Sequence, residues 1–204
     1  MTPNPTRPTG DAPTRRALLK ADRRAQLLRA AARLIAERGF AGVRLEDLGA
    51  AVGISGPAVY RHFPNKEALL VELLVDVSRR LFEGGTEVAS AAADPKEALA
   101  DLVEFHLDFA LDEPDLIRVQ DRDLASLPDD ARHQVRQFQR RYVETWVQVL
   151  REVDRNLDEA DARIKAHAAF GLINSTPHSV NPSAPARTRS VLRRMTAAAL
   201  APGV

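Results

Sequence analysis

The chain has 204 residues, 45% of them hydrophobic and only 5% aromatic, so a sizeable core is available and helices are favoured over sheets. It has no cysteine, which excludes disulfide frameworks and thiolate metal sites and allows a reducing compartment. The net charge of +1 hides an asymmetry. Residues 1–66 hold 12 Lys and Arg against 5 Asp and Glu, a net +7, and the remainder is net −6, so the basic first third suggests contact with a polyanion.

Met1–Pro13 carries four prolines and no apolar run. Residues 1–20 are therefore read as a flexible basic arm, and no secretion signal is expected. No stretch approaches the roughly 18 apolar residues that would span a bilayer, and a cytoplasmic location is expected. Leu27, Leu28, Ala31, Leu34 and Ile35 then recur at helical spacing, and Gly39 stops that helix. Leu45–Val52 is a short helix stopped by Gly53. Ser55 caps another, with Pro57 in its first turn, which runs to Phe63-Pro64. Asn65 opens a helix to about Phe82, where Gly84-Gly85 is expected to break it. Further helices follow from Asp94, from Glu113-Pro114 to about Ser126, from Pro128 to about Val153 and from Asp158 to Ser175. A loop spans 177–185 and a last helix ends near Leu200. The expectation is all-α, with about nine helices and no strand.

Two short helices joined by Gly53-Ile54 have the form of a helix-turn-helix, whose second helix lies in the DNA major groove. Gly56, Pro57 and Ala58 would let its start approach base edges. Tyr60, His62 and Lys66 follow at spacings suited to the flanking phosphates, with Lys66 in the first turn of the next helix. Arg61 is divided between base, phosphate and solvent.

At these residues the chain resembles the TetR/AcrR family of one-component bacterial regulators. The resemblance rests on Glu37-Arg38-Gly39-Phe40, Leu45-Glu46-Asp47-Leu48, Gly53-Ile54-Ser55, Val59-Tyr60-Arg61-His62-Phe63 and Lys66-Glu67-Ala68-Leu69, without a gap over residues 23–75. It implies an all-helical homodimer with a three-helix DNA-binding domain, residues 21–66, and a larger ligand-binding and dimerisation domain, residues 67–204. It implies DNA contacts from Arg44, Ser55, Gly56, Pro57, Ala58, Tyr60, Arg61, His62 and Lys66. Two positions depart from the pattern. Val43-Arg44 replaces a threonine pair that caps the second helix, so Arg44 could supply the phosphate contact but not the cap. Pro57 stands where glycine is commonest.

No catalytic motif is found, no two of the five histidines have zinc-like spacing, and neither cofactor nor metal is expected. Residues 94–176 are read instead as a sensor. Leu102, Phe105, His106, Phe109, Leu116, Phe138, Tyr142, Trp146 and Phe170 are candidates to line its pocket, although an aromatic stripe also serves as plain core. The segment "IRVQDRDLASLPDDARHQVRQFQRRYVETW" resembles a branch of the family tied to fatty-acid and steroid catabolism in actinomycetes, some of which sense acyl-CoA thioesters. On that resemblance Arg118, Arg122, Arg132, Arg136, Arg140 and Arg141 could meet ligand phosphates or be a salt-bridged surface. Ala166, Ala168, Ala169 and Gly171, with Leu172 beside them, make one helix largely small-sided. With Val191, Leu192, Met195 and Ala199 of the last helix they are the expected dimer interface. The reading is a repressor, not an enzyme, that a small molecule releases from a palindromic double-stranded operator. Two alternatives stand beside it: an architectural DNA-coating protein without a ligand response, and a helical enzyme with an accessory helix-turn-helix.

Overall fold

The computed structural model describes residues 14–179 and 184–202, and every regular element among them is helical. Helix α1 (Arg15–Arg38) begins where Thr14 Oγ1 accepts the Ala17 N–H at 3.3 Å. Residues 15–20, expected to belong to a flexible arm, are thus its first turns; the expectation for 1–13 lies outside the described residues. Helix α2 (Leu45–Val52) ends at Gly53, whose φ of 71° places it in the left-handed region that favours glycine. Helix α3 (Gly56–Tyr60) stops short of the expected Phe63. Arg61 and His62 form a turn, and the His62 and Phe63 N–H groups still donate to Val59 O.

Helix α4 (Lys66–Ala91) starts at Asn65, whose Oδ1 accepts the Ala68 N–H at 2.7 Å. It runs straight through Gly84-Gly85, where a break was expected. The glycines act as contact points instead. A Cβ built on Gly84 would lie 2.6 Å from Phe105 Cζ, and one on Gly85 would lie 2.3 Å from Tyr142 Cε2. Losing two side chains lets two aromatic rings seat directly on the helix backbone.

Helices α5 (Pro95–Asp112), α6 (Pro114–Asp123), α7 (Asp129–Val153) and α8 (Glu159–Ile173) follow, with a 3-10 turn at Leu124–Ser126. A single turn, α9 (Thr176–Ser179), falls where a loop was expected, and α10 (Pro185–Leu200) is the last element. The nine expected helices are present together with that extra turn.

The side chains collect into two cores. One holds α1, α2 and α3 together with Leu69, Leu70, Leu73, Leu74 and Val77 of α4, and it is closed by Leu116 and Val119 of α6 and Val135 of α7. The basic first third therefore does not end its packing at residue 66. The other core joins α5, α7, α8 and α10 around Trp146. Each fully buried leucine contributes about 1.5–3 kcal/mol relative to exposure, so the α4–α6 contribution is a substantial share of the first core. Among the described residues no helix is long and apolar enough to cross a membrane, and no cluster of three potential metal ligands occurs.

Candidate nucleic-acid interface and sensor cavity

The turn between α2 and α3 is set by close backbone approach. A Cβ on Gly49 would lie 2.8 Å from Ile54 O and 3.0 Å from Val59 Cγ2, and Val59 is fully buried beneath. This leaves Arg44, Ser55, Pro57, Tyr60 and Arg61 exposed, with Gly56 and Ala58 half-buried. Ser55 is the N-cap residue of α3, but its side chain makes no cap hydrogen bond there. At the start of α2 the missing threonine cap is replaced from the other side: Asp47 Oδ2 accepts the Arg44 N–H at 2.9 Å. The Arg44 side chain, having no acceptor, takes no part in that cap. Tyr60 is 48% exposed, and its hydroxyl donates to Glu46 Oε1 at 3.0 Å, a bond that raises its pKa and ties α3 to α2. Glu46 was not anticipated; its place three residues after Val43, on the outer side of α2, was the available signal.

Several basic groups of the first third are engaged inside the fold. Arg23 donates to Val52 O at 3.2 Å. Arg24 pairs with Glu72, donates to His62 O and lies 4.2 Å over the Phe63 ring. Lys66, expected on a phosphate, donates to Phe40 O at 2.7 Å and Ala41 O at 3.4 Å, with its ammonium 4.5 Å over the Phe40 ring. It fastens the α1–α2 turn to the start of α4. His62, also expected on a phosphate, is half-buried. Its Nδ1 has no hydrogen-bond partner among the described residues, and burial together with Arg24, Lys20 and Arg23 lowers its pKa. Both effects favour its neutral imidazole over the cation. Arg44 and Arg61 remain as exposed cations on this face.

The C-terminal half holds a cavity of about 210 Å³ between α4, α5, α6, α7 and α8. Four predicted residues line it: His106, Phe109, Tyr142 and Phe170. Of the others, Leu102 packs in the second core, Leu116 packs in the first core, and Phe105 meets Gly84. Phe138 stacks on Phe82 at 6.2 Å, and Trp146 is fully buried with its ring 5.0 Å from Phe170. Sequence reasoning missed Ile117, Gln120 and Asp121 of α6, and Gln139, His167 and Asn174. The spacing of Ile117, Gln120 and Asp121 along one side of α6 was the signal for three of them.

His106 sits at the centre of this wall. Its Nδ1 is 3.3 Å from the Tyr142 hydroxyl and its Nε2 3.1 Å from Asn174 Oδ1. Burial pushes its pKa down to about 4, partly offset by the Asn174 bond. Burial likewise raises Tyr142 far above the usual phenol value. Both groups are neutral at neutral pH.

The arginine segment is largely engaged elsewhere. Arg122 donates to Ile35 O and Ala36 O at the C-terminal end of α1 and pairs with Asp123, whose Oδ1 accepts the Phe40 N–H at 3.1 Å. Arg118 donates to Pro177 O, Arg132 pairs with Asp129, and Arg141 lies 4.1 Å over the Phe82 ring. Arg136 and Arg140 are exposed without an acidic partner among the described residues. A larger open groove of about 660 Å³ lies between α5, the end of α7 and α10 and contains none of the predicted ligand residues.

Helix α8 exposes Ile164, Ala168 and Gly171, with Leu172 half-buried, and α10 exposes Val191 and Met195. A Cβ on Gly171 would meet nothing within 4 Å. Leu192, expected at the interface, is buried in its own chain's core, as are Ala166 and Ala169.

Comparison with known proteins agrees with this geometry. Residues 27–73 match the model for bacterial regulatory proteins of the tetR family, and residues 92–201 match the tetracyclin repressor-like C-terminal domain. The HTH-type transcriptional regulator EthR of Mycolicibacterium smegmatis is 33% identical over 124 residues, 60% of this chain and 52% of that protein. The chain spans about half the length of the curated relatives it matches. A TetR-family regulator from Bordetella parapertussis superposes with a TM-score of 0.79 at 22% identity, over 88% of this chain and 94% of that one. AibR, in complex with isovaleryl coenzyme A and operator DNA, gives 0.70 at 20% identity over 85% and 97%. At these identities the structures speak for the fold.

Proposed function

Because this chain belongs to the TetR family of bacterial regulatory proteins, we propose that it is a cytoplasmic, homodimeric DNA-binding repressor that a small molecule releases from its operator. One observation carries the ligand response. Helix α6 presents Ile117, Gln120 and Asp121 to the sensor cavity, and from its other side Leu116, Val119, Arg122 and Asp123 hold the DNA-binding unit. A molecule that reshapes the cavity acts on the element that orients α1.

Dimerisation through the exposed stripes of α8 and α10 would set two α3 helices about one DNA turn apart, roughly 34–36 Å, on a palindromic site. Arg44, Tyr60 and Arg61 are the residues best placed to meet DNA. An acyl-CoA is the effector class favoured by two features. AibR holds isovaleryl coenzyme A on the same fold, and Arg136 and Arg140 are exposed on α7 without an acidic partner among the described residues. The acyl group alone would enter the cavity, since no lysine or arginine lines it among the described residues. Moving the dimer from nearly all bound to nearly all free needs about 5.5 kcal/mol of differential binding, which two subunits can share.

The test is a footprint on operator DNA, followed by titration of the complex with short, branched and long acyl-CoAs and with free CoA. Release by acyl-CoAs and not by CoA supports the reading. Tight footprints that no compound releases would favour an architectural protein.

A further inference from the structure

The hydrogen-bond directions around His106 define what the cavity can still bind. Asn174 Oδ1 only accepts, so the bond at 3.1 Å places a proton on His106 Nε2. His106 Nδ1 then carries a lone pair, and the Tyr142 hydroxyl 3.3 Å away donates to it. The chain Tyr142–His106–Asn174 is closed and neutral. Left over are the amide N–H groups of Asn174, Gln120 and Gln139, which have no partner among the described residues. All three side chains are half-buried, and each can donate to an acceptor oxygen that enters the cavity. No lysine or arginine stands among the lining residues, and the one carboxylate, Asp121, sits on the same wall. An anion entering here would lose its water, meet no lysine or arginine and face Asp121, with the exposed His167 imidazole at the rim as the one basic group on the lining. The remaining walls are Leu81, Phe109, Ile117, Val143 and Phe170, which suit a small apolar body.

We propose that this cavity takes a small, uncharged carbonyl compound, a ketone, ester or thioester, through the carboxamides of Asn174, Gln120 and Gln139, and refuses the carboxylate of the same skeleton. The assignment rests on the reading of the chain as an effector-responsive regulator, and it separates an acyl thioester from the free acid that its hydrolysis releases.

The experiment uses the full-length dimer and isosteric pairs: methyl hexyl ketone with heptanoate, and cyclohexyl methyl ketone with cyclohexanecarboxylate. Calorimetric titration at neutral pH should show each ketone binding at least about tenfold more tightly than its acid, the weight of one charge-dependent contact. Gln120→Arg, and separately Gln139→Arg, places a cation on the wall and should reverse the preference, with circular dichroism confirming an unchanged helix content. Equal or tighter binding of the acids, no binding of either ketone, or preference for cyclohexylethylamine through Asp121 would each overturn the assignment. Operator release is read separately. Ketones that bind without releasing DNA would uphold the cavity chemistry and count against the effector-responsive reading. Acyl-CoA release with no ketone preference would do the reverse.

Discussion

Substituting alanine at Gly84 and at Gly85 separates two contacts that look alike in sequence. Removing a helix-interior glycine should stabilise α4 by about 0.5–1 kcal/mol. Against this stands the space each methyl group must find. At Gly84 the new Cβ meets Phe105 by the tip of a half-buried ring, Cζ at 2.6 Å and Cε2 at 2.8 Å, and that ring can swing outward. At Gly85 it meets Tyr142 Cε2 at 2.3 Å and Cδ2 at 3.1 Å. Tyr142 is 5% exposed, tied to His106 and stacked on Phe170 at 5.6 Å, so any shift of its ring toward the cavity breaks the His106 bond and the stack. Overpacking of a fixed core costs about 1–3 kcal/mol. Gly84→Ala should therefore stay within about 0.5 kcal/mol of the parent, and Gly85→Ala should lose about 1–2 kcal/mol. For a chain of this size that is a fall in melting temperature of roughly 2–8 °C. Urea denaturation followed by circular dichroism measures both. Adding Tyr142→Ala should cancel most of the Gly85→Ala penalty, a coupling that a double-mutant cycle reads directly. A Gly85→Ala protein as stable as the parent would refute the view that the glycine pair exists to seat these rings.

Four further outcomes follow from the geometry. Gly171→Trp should fold as a monomer, since the site is open in the single chain, but should abolish the dimer in sedimentation and weaken operator binding. A folded dimer would remove Gly171 from the interface. The folded-state pKa of His106, about 4, lies below its unfolded value near 6.5, so its contribution to stability is complete above pH 6.5 and is lost as the pH falls toward 4. The loss is on the order of 3 kcal/mol, and His106→Asn should flatten that part of the stability–pH curve. Lys66→Ala should cost about 1–2 kcal/mol of stability by freeing the α1–α2 turn, yet change the salt dependence of DNA binding by less than one charge per half-site. Arg61→Ala, at an exposed cation, should lower that slope by about one and leave stability unchanged.

The helices were legible because their signals are local. Apolar spacing, the caps Asn65 and Asp94, and the stop at Gly53 each act within a few residues. Gly84-Gly85 misled for the opposite reason. A glycine pair reads as a break until the rings of Phe105 and Tyr142, about 20 and 57 positions further on, are known to press on it. The interface face was legible as composition but not residue by residue. The pattern of α10 places Val191 and Leu192 side by side, and only packing tells that one is exposed and the other is buried. Charge was the least legible. Arg24, Lys66 and Arg122 look like anion ligands in a list of residues, but they bond to backbone carbonyls that no motif announces.

Those same bonds change how a signal could cross the molecule. Helix α4 starts beside the helix-turn-helix and runs past the cavity, and its contact with Tyr142 at Gly85 places a cavity residue directly on it. Helix α6 supplies a second path. Arg122 grips the last carbonyls of α1, and the carboxylate of Asp123, only 6% exposed, holds the Phe40 N–H, so α1 and α6 are joined end to end. A buried carboxylate bonded to a backbone N–H on one side and a guanidinium on the other is costly to break one bond at a time. A displacement of α6 is therefore transmitted to α1 as a whole, and through Arg23 and Arg24 to the ends of α2 and α3. On the proposed reading coupling is reciprocal: an operator that holds α1 in place would also hold α6 against the cavity, and an effector would bind the DNA complex less tightly than the free protein by the same factor.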